Sequence, residues 1–267
     1  MLRKYQTCFT MGMQKAIEYR FDFFLSYFSA LFPIIIQVSM WTAIYHSTNT
    51  GLLYGYSYTQ MILYTFFVGI VGKFLATGFE YEMNEDIKNG GLNKFLVKPV
   101  NYCYYRGFCF LGELFSVSIV FFLIVIVLIS IFSIMQFFHI TLLTIGVFLL
   151  ALFLSLLLQF FIYFCIGISG LWISEIARVF PAINIILTVI SGGIFPLDIL
   201  GEEFNHMLLF FPFKYLLQFP VDVITGKTME YSLLVSLGIQ FGWVIFFGTI
   251  AQILWKKGLK KYIAVGG

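Results

Sequence analysis

Residues 114–138, LFSVSIVFFLIVIVLISIFSIMQFF, form a run of 25 residues without one charged side chain. After His139, a second uncharged run of 35 residues occupies positions 140–174. A helix needs about 20 apolar residues to cross the ~30 Å hydrocarbon core of a bilayer. Each run is therefore long enough for a membrane-spanning helix. We expect the longer one to tilt, to project beyond the bilayer, or to bend near Gly167 and Gly170.

The composition of the whole chain agrees with these two runs. Of its 267 residues, 60% are hydrophobic and 11% are charged, whereas about a quarter of the residues of a soluble domain are charged. This composition excludes a soluble globular protein. It predicts an all-α, polytopic membrane protein with a single transmembrane domain over residues 1–267.

Six membrane crossings are predicted from the positions of the apolar runs. The predicted spans are residues 23–45, 58–79, 114–138, 140–174, 179–197 and 231–255. Span 2 contains Lys73 near one end, where its ammonium group can reach the headgroups. Span 5 has Pro181 in its first turn, where proline is tolerated, and the sequence SGGIFP at its end.

Residues 198–230 are apolar in part, but Pro212, Lys214 and Pro220 divide them into pieces too short to cross a bilayer. We predict short re-entrant helices that enter the membrane from the outer face. If both termini are cytoplasmic, fourteen of the sixteen Lys and Arg residues lie inside, and only Lys214 and Lys227 lie outside. This distribution follows the positive-inside rule. A seventh crossing over 198–230 would violate it, because the four C-terminal lysines would then lie outside.

The first twenty residues, MLRKYQTCFTMGMQKAIEYR, have neither the apolar core nor the cleavage site of a signal peptide. Their apolar residues recur at steps of three and four, as one stripe of a helix: Leu2, Tyr5, Phe9, Met13 and Ile17. We predict an amphipathic helix over residues 1–20 that lies in the membrane interface. A frayed tail is the alternative.

The polar segment YEMNEDIKNGGLNKFLVKPVNYCYYRG, residues 81–107, separates spans 2 and 3 on the inner side. One helical face at its start is apolar at steps of four: Phe79, Met83 and Ile87. Gly90 and Gly91 are predicted to end this helix in a left-handed conformation. A simple connection does not need about twenty-five residues with apolar patches. We therefore predict that residues 80–100 dock into a groove on a soluble partner; the alternative is that they lie against the headgroups.

The pattern IKNGGLNKFLVKPVN, residues 87–101, followed by an aromatic-Arg turn, resembles the segment I..G.L...L.KP.N...YR of ABC transporter permeases of the type-2 exporter class. The interfacial first helix, the six spans and the outer re-entrant segment also resemble the small bacterial members of that class. The resemblance implies that residues 80–100 contain a cytoplasmic coupling helix that seats on an ATP-binding subunit. By position, the coupling residues would be Glu85, Asp86, Ile87, Gly90, Gly91, Leu92, Lys98 and Pro99.

The chain contains no GxxxxGK[ST] motif, which forms the phosphate-binding loop of many ATPases. We therefore expect that it binds no cofactor and is not an enzyme by itself. The resemblance implies that ATP and Mg²⁺ bind to separate ATP-binding subunits, two copies per complex. A second permease, identical or similar, is expected because a two-sided ATPase requires two permease halves. The other expected contacts are membrane lipids in the bacterial cytoplasmic membrane, and no nucleic acid.

Two sets of residues within the spans are further candidates. Gly238 and Gly242 have the GxxxG spacing that allows close helix packing, either between two permeases or within one chain. Asn184, Thr188 and Ser191 form a polar strip on span 5. This strip is a candidate for the substrate path, and ordinary hydrogen bonds between helices are the alternative.

The remaining polar residues favour no catalytic or metal site. Lys73, inside predicted span 2, and Glu113, just before predicted span 3, are the candidate intramembrane charges. Both lie near the inner surface, where snorkelling or ion pairing is favoured over proton relay. Glu175 and Arg178, at positions i and i+3, suggest a second small cytoplasmic contact. The histidines and cysteines form no metal or disulfide motif: His46, His139, His206, Cys8, Cys103, Cys109 and Cys165.

The function expected from these observations is that of the permease subunit of an ABC exporter. Its cargo is an amphipathic, lipid-like, peptide or antibiotic substrate, which the sequence does not specify further. Two other classes remain open. One is a membrane scaffold or sensor subunit that docks a soluble protein without transport, and the other is an ion-coupled secondary carrier.

Overall fold

The computed structural model describes residues 2–48, 52–97, 100–134, 141–173, 175–201, 207–208, 210–227 and 232–262. Its α-helices are α1 Leu2–Glu18, α2 Arg20–Thr48, α3 Tyr58–Leu75, α4 Phe79–Lys88, α5 Asn93–Leu96, α6 Tyr102–Ile134, α7 Leu142–Ile168, α8 Phe180–Ile190, α9 Gln218–Thr225 and α10 Leu233–Leu259. Short 3-10 helices occupy Ser169–Leu171, Ile176–Arg178 and Leu197–Leu200. Strands β1 Leu52–Leu53 and β2 Tyr56–Ser57 form a small antiparallel hairpin between α2 and α3.

Five helices within the described residues are long and apolar enough to cross a membrane. They are Tyr27–Thr48, Tyr58–Lys88, Tyr102–Ile131, Leu142–Leu171 and Leu233–Leu259. These helices correspond to predicted spans 1, 2, 3, 4 and 6, and they confirm an all-α, polytopic membrane protein. Their outer faces carry exposed aliphatic and phenylalanine side chains, which suits contact with lipid because exposed apolar surface of this extent is unfavourable in water.

The fifth predicted span differs from the expectation. Its helix, Phe180–Ile190, has 11 residues and is therefore about 16 Å long, roughly half of the hydrocarbon thickness. Pro181 lies in its first turn, as predicted. The helix ends because Gly192 adopts a left-handed conformation with φ of +85°, and a segment without helix follows as far as Leu197. Helix length alone thus does not confirm a count of six crossings.

Local sequence signals account for several helix boundaries. Ser57 and Gln60 form a reciprocal capping box at the start of α3, and the Thr141 side chain accepts a hydrogen bond from the Thr144 amide at the start of α7. α7 ends at Ile168 and tightens into a 3-10 turn over Ser169–Leu171. The helix geometry thus changes between Gly167 and Gly170, and a bend, a tilt or a projection beyond the bilayer stays a prediction.

α7 is the centre of the core, with α3, α4, α9 and α10 packed around it. Gln240 of α10 is fully buried against α7. Its amide nitrogen donates to the Ala151 carbonyl, the Ser155 hydroxyl and the Tyr215 carbonyl, each at 3.0 Å. A polar residue without water must find such partners inside the protein. These bonds fix α10 to α7 and to the chain preceding α9.

The first helix packs along α6 and is not a frayed tail. At the closest approach, a Cβ atom added at Gly12 would lie 2.0 Å from the Cys109 carbonyl oxygen, and one at Gly112 would lie 2.0 Å from the Phe9 carbonyl oxygen. The Tyr5 ring stacks on Phe108 at 5.1 Å between centroids. Only glycine allows the two backbones to come so close. The interfacial position of α1 stays a prediction.

Candidate functional site

The two ends of the helical bundle are named here by what they carry. The α4 end contains α4, α5, the first turns of α6 and the last turns of α7 and α10. The hairpin end contains β1, β2 and the 3-10 helix Leu197–Leu200. The candidate site has three parts: an ionic cluster at the α4 end, a cavity beside α3, and a polar group at the hairpin end.

α4 follows the sequence signals of its own segment. Glu80 and Glu82 lie in its first turn and Lys88 in its last, an arrangement that complements the helix dipole. Gly90 has a φ of +70°, so the predicted left-handed cap is confirmed at this residue. Beyond the turn, the Leu92 amide donates to the Asp86 carbonyl at 3.1 Å. This bond folds the chain back against α4.

The apolar face of α4 packs on the end of α7. Met83 is completely buried there. A Cβ atom at Gly167 would lie 2.9 Å from the Met83 sulfur, and one at Gly170 would lie 3.1 Å from the Asn84 side-chain oxygen. The two glycines therefore permit a close contact between α4 and α7 that larger residues would prevent. A displacement of α4 must displace this end of α7 as well.

Five charged side chains join α4 to α1 and α6, and we call them the basal cluster: Lys15, Glu82, Asp86, Arg106 and Glu113. Arg106 of α6 pairs with Glu82 and, at 2.5 Å from Nη2 to Oδ2, with Asp86. Lys15 of α1 pairs with Glu82 and, at 2.9 Å, with Glu113 of α6. The cluster thus links three helices that lie far apart in sequence. The Lys15–Glu113 pair confirms the predicted ion-pairing role of Glu113.

The Arg106 side chain is only 6% exposed. Its Nε donates to the Tyr102 hydroxyl at 3.0 Å, and that hydroxyl donates to Asp86 Oδ2 at 2.8 Å. The guanidinium also lies over the Tyr105 ring, 5.6 Å from its centroid. Such charge-assisted and cation–π contacts are stronger away from water. Arg106 therefore holds α4 to α6 more firmly than an exposed ion pair would.

Lys15 remains charged in this cluster. Burial opposes its positive charge, but hydrogen bonds and charges from Glu82 and Glu113 outweigh this effect and raise the pKa of Lys15. Two cations then face three carboxylates, and Lys94 of α5 approaches Asp86 at 3.5 Å. The local charges therefore balance without any ion from outside.

A cavity of about 280 Å³ lies between α2, α3, α7 and α8, and we call it the α2–α8 cavity. It is lined by Ala30, Pro33, Ile34, Gln37, Val68, Gly69, Gly72, Lys73, Leu75, Ala76, Gln159, Tyr163, Leu187, Thr188, Ser191, Gly193, Leu216 and Leu217. Most of these side chains are apolar. Lys73 is the cationic residue among them, and the lining also contains amide and hydroxyl groups, from Gln37, Gln159 and Thr188.

The end of the cavity nearer the hairpin is closed by residues 191–193 and 216–218, which we call the roof. The Tyr64 hydroxyl donates to the Gly192 carbonyl at 2.7 Å, and the Gln218 amide donates to the Ser191 carbonyl at 3.1 Å. A Cβ atom at Gly193 would lie 2.8 Å from the Thr188 carbonyl oxygen. The roof thus combines main-chain groups, held by hydrogen bonds to α3 and α9, with the side chain of Leu217.

Asp198 anchors the roof at the hairpin end. It accepts hydrogen bonds from the Tyr56 hydroxyl at 2.7 Å and from Gln218 Nε2 at 3.1 Å. It also pairs with Lys214 and Lys227. Burial acts against its charge, yet the two lysines and these bonds hold the pKa of Asp198 below its usual value. Asp198 therefore stays ionised over the physiological range.

Asp222 of α9 lies near this group and behaves in the opposite way. It is buried, and its Oδ1 has no hydrogen-bond partner among the described residues. Burial and then the charge of Asp198 raise the pKa of Asp222 to about 7. Two neighbouring carboxyl groups thus have well-separated pKa values because one has the cations and the other does not.

A family model described as ABC-2 family transporter protein matches residues 31–266. The chain belongs to the ABC-2 transporter family. The match includes every element from the middle of α2 to the end of α10, and α1 with Lys15 lies outside it. No curated protein and no solved structure matches the chain. The assignment therefore rests on the family model alone, and no individual relative indicates a substrate.

The predicted coupling residues of this ABC-2 protein fall into different environments. Glu85 is exposed, Asp86 belongs to the basal cluster, and Gly90 and Gly91 are partly exposed at the turn. Lys98 and Pro99 lie outside the described residues. The coupling role of all these residues stays a prediction.

The expectation of an apolar patch presented to a partner is wrong for Ile87 and Leu92. Ile87 is buried and Leu92 is fully buried, because both complete the core between α4, α6 and α7. The side chains that this ABC-2 protein exposes on α4 and α5 are mainly polar: Tyr81, Glu85, Lys88, Asn89, Lys94 and the apolar Val97. Glu85, Asn89 and Lys94 line a hollow of about 410 Å³, which Glu82, Asp86 and Arg106 of the basal cluster also border.

The three residues of the predicted polar strip on α8 differ in what they contact. The Tyr163 hydroxyl donates to Asn184 Oδ1 at 2.7 Å, which is the interhelical hydrogen bond of the alternative interpretation. Thr188 and Ser191 donate to carbonyls of their own helix and line the α2–α8 cavity, whereas Asn184 does not line it. Two of the three residues thus line this cavity, and their role in a substrate path stays a prediction.

Gly238 and Gly242 lie on an open face of α10. A Cβ atom added at either position would meet no other atom within 4 Å among the described residues. α10 packs on α7 through the opposite side, which includes Gln240, Val244 and Gly248. Packing within one chain is therefore excluded for this glycine pair in the described structure. Packing between two ABC-2 permeases stays a prediction.

Sequence reasoning missed the partners of Arg106 and Lys15. Both residues were counted for their charge alone, although Tyr102 and Arg106 have the i, i+4 spacing that places them on one helical face. The pair Gly12 and Gly112 was also missed. No sequence signal indicates that two glycines a hundred positions apart lie in the same helix–helix contact.

Proposed function

We propose that this protein is the transmembrane permease subunit of an ABC exporter. It moves an amphipathic substrate outward, and ATP hydrolysis on separate nucleotide-binding subunits drives the movement. The observation that carries the proposal is α4, a polar helix with an exposed face that is tied to α1 and α6 by the basal cluster and to α7 by glycine contacts. In an ABC-2 permease, a soluble subunit that binds the exposed face of such a helix could displace the helix and the elements tied to it.

The contacts of α4 suggest how this push reaches the cavity. Arg106 connects α4 to α6, and Met83 connects it to α7. The Tyr81 ring meets the Phe180 ring at the start of α8 edge to face, 5.0 Å between centroids. α7 and α8 both line the α2–α8 cavity. A rigid movement of α4 would therefore shift two walls of the cavity together, as alternating access requires.

We further propose six crossings with both termini at the α4 end. Phe180 contacts Tyr81 at the α4 end, and Asp198 bonds Tyr56 at the hairpin end. Residues 180–198 therefore extend as far as α3 and α4 do together, although helix α8 covers only part of that length. Near the end of α10, the Trp255 ring stacks on Tyr102 at 5.0 Å, which supports a C-terminus at the α4 end.

The distribution of charge supports an α4 end in the cytoplasm of a bacterium. Lys15, Lys88, Lys94 and Arg106 lie at this end, and positive residues favour the cytoplasmic side. Lys214 and Lys227 lie at the hairpin end, where both pair with Asp198. Residues 198–227 with α9 then form a re-entrant outer segment in the cytoplasmic membrane.

The proposed assembly contains two permeases and two ATP-binding subunits. ATP and Mg²⁺ would bind to the latter, because this chain has no phosphate-binding loop motif. The open face of α10 with Gly238 and Gly242 is a candidate contact between the permeases. This chain would contribute no catalytic residue, and its role would be binding and movement.

The experiment compares two charge reversals of exposed acidic residues at the proposed inner side. Glu85→Lys changes the exposed face of α4, and Glu18→Lys makes the same chemical change at the end of α1. The permease is co-expressed with candidate ATP-binding subunits, purified and reconstituted in vesicles. We expect Glu85→Lys to lose the ATPase subunit, or its hydrolysis response, at an unchanged melting temperature, whereas Glu18→Lys retains both.

Full co-purification and ATP hydrolysis with Glu85→Lys would refute the role of α4. A stable soluble partner without a nucleotide site would instead favour the scaffold or sensor alternative. A substrate-dependent ion flux catalysed by the permease alone would favour the secondary carrier.

A further inference from the structure

Lys73 differs from the four cations that bind α4 and α5, Lys15, Lys88, Lys94 and Arg106, because it has no acidic partner among the described residues. Lys15 and Arg106 each pair with two carboxylates. Within the described residues, no carboxylate oxygen lies within 4 Å of Lys73 Nζ, and no hydrogen bond involves this group. Lys73 is nevertheless only partly exposed, in the last turn of α3.

Neither Glu113 nor Glu80 pairs with Lys73 Nζ, although Glu80 Oε1 has no hydrogen-bond partner among the described residues. Glu113 lines a second cavity of about 230 Å³ together with Lys73, but it is bonded to Lys15 at 2.9 Å. Glu80 is fully buried, and its Oε2 accepts from Thr77 at 3.2 Å. A cation inside a membrane protein is unfavourable unless it reaches an anion, water or the headgroups. The unpaired ammonium therefore leaves room for an anion that is not part of this chain.

The α2–α8 cavity next to Lys73 has two chemically distinct parts. Ile34, Val68 and Leu187 contribute aliphatic walls, and Gln37 and Gln159 contribute amide groups. Its volume of about 280 Å³ is close to the lower limit of small-molecule pockets, ~300 Å³. A single alkyl chain with a small head group matches such a space better than a bulky polar molecule does.

We propose that the α2–α8 cavity binds a single-chain anionic amphiphile, with its phosphate or carboxylate head on Lys73 and its tail between α2, α3 and α8. The head would accept a charge-assisted hydrogen bond from the ammonium. The tail would replace the empty apolar space below the roof. The inference rests on the proposed function, because it names the substrate class of the same path, but binding itself requires no ATPase subunit.

The test measures binding of tritiated dodecyl phosphate to the full-length permease in a non-ionic maltoside detergent. Unlabelled dodecyl phosphate and dodecyltrimethylammonium, which has the same tail and the opposite charge, are the competitors. We expect saturable binding that only the phosphate displaces. Lys73→Gln should weaken binding about tenfold or more, because a hydrogen bond to a charged group is lost.

Three further variants separate the site from general charge or folding effects. Lys73→Arg should retain binding, and Lys256→Gln, which removes an exposed cation at the end of α10, should leave it unchanged. In Gly72→Leu the side chain enters the cavity, because a Cβ atom there lies 3.6 Å from Leu217 Cδ2. Binding should then be lost although Lys73 is present. Melting temperatures within about 2 °C of the wild type verify folding.

Equal binding by wild type and Lys73→Gln, or equal displacement by both competitors, would overturn the inference. A repeat in nanodiscs tests whether two-chain lipid fills the site instead. If phosphatidylglycerol nanodiscs abolish dodecyl phosphate binding and phosphatidylcholine nanodiscs do not, the occupant is membrane lipid and the inference fails. Because no ATPase subunit is present, these outcomes are independent of the Glu85→Lys result, which tests the proposed function alone.

Discussion

Replacing Arg106 with methionine removes the cation that holds α4 to α6. Methionine retains a similar length and a good helix propensity, so the change is confined to the charge and its bonds. Asp86 and Glu82 then lose their main partner, and the Tyr102 hydroxyl loses a donor. We expect α4 to dock less firmly and the whole permease to unfold at a lower temperature.

The size of this effect follows from the exposure of each partner. Removal of one member of a buried ion pair costs about 3–5 kcal/mol. Glu82 is 36% exposed and keeps Lys15, so its share is small. Asp86 is only 14% exposed and would retain the Tyr102 hydroxyl at 2.8 Å and, as its remaining cation, Lys94 at 3.5 Å. The expected loss is therefore at the lower limit, about 3 kcal/mol, or roughly 6–12 °C in melting temperature for a chain of this size.

The assay heats detergent-solubilised protein with a fluorogenic thiol reagent. The four cysteines are free, and Cys8 is buried, so their labelling reports loss of packing. The matched control is Arg178→Met, which removes an arginine that is 81% exposed and paired with Glu175 at i, i+3. Such surface pairs contribute about 0–1 kcal/mol, and the control should melt within about 2 °C of the wild type.

Adding Asp86→Asn to Arg106→Met should restore part of the lost melting temperature, because the unpaired carboxylate is removed. The reasoning is refuted if Arg106→Met melts together with Arg178→Met and the wild type. It is also refuted if the double variant melts lower than Arg106→Met, since an unpaired Asp86 would then not be the cause.

Two further predictions concern the α1–α6 contact and the buried carboxyl group of α9. Gly12→Leu should lower the melting temperature by several degrees, because its Cβ would lie 2.0 Å from the Cys109 carbonyl oxygen and overpacking costs about 1–3 kcal/mol. Gly146→Leu is the control, because a Cβ atom there meets open space. Equal melting temperatures of the two variants would contradict the prediction. For Asp222, whose pKa is raised from 3.8 to about 7, folded-state stability is complete below pH 4 and declines as the pH rises to 7. Asp222→Asn should therefore melt higher than the wild type at pH 8 and equally at pH 4; the same difference at both pH values would exclude a titration effect.

The positions of the long helices could be predicted because they depend on the length and hydrophobicity of continuous stretches of sequence. A run of about 20 uncharged residues already determines that a segment prefers lipid as a helix. Residues 179–197 satisfied that criterion as well, yet the helix ends at Ile190. The turn at Gly192 is stabilised by the Tyr64 hydroxyl, from a helix 128 positions away, so no local pattern could reveal it.

In the candidate site too, features set by neighbouring residues could be predicted, and features set by distant contacts could not. The capping of α4 at Gly90 depends on neighbouring residues and was predictable from them. The burial of Ile87 and Leu92 depends on the contact between α4 and α7, where Gly167 and Gly170 lie some eighty positions later. Amphipathic spacing indicates that a helix has an apolar face, but not whether the same chain or another molecule covers it.

The roof of the α2–α8 cavity bears on how readily protons leak across the membrane through this protein. Residues 191–193 and 216–218 close it with main-chain groups whose hydrogen bonds end on Tyr64 and Gln218. The Ser191 and Gly192 carbonyls already accept hydrogen bonds from Gln218 and Tyr64, so they are less available to hold a chain of water molecules. We therefore expect an idle copy of this protein to leak few protons across the membrane.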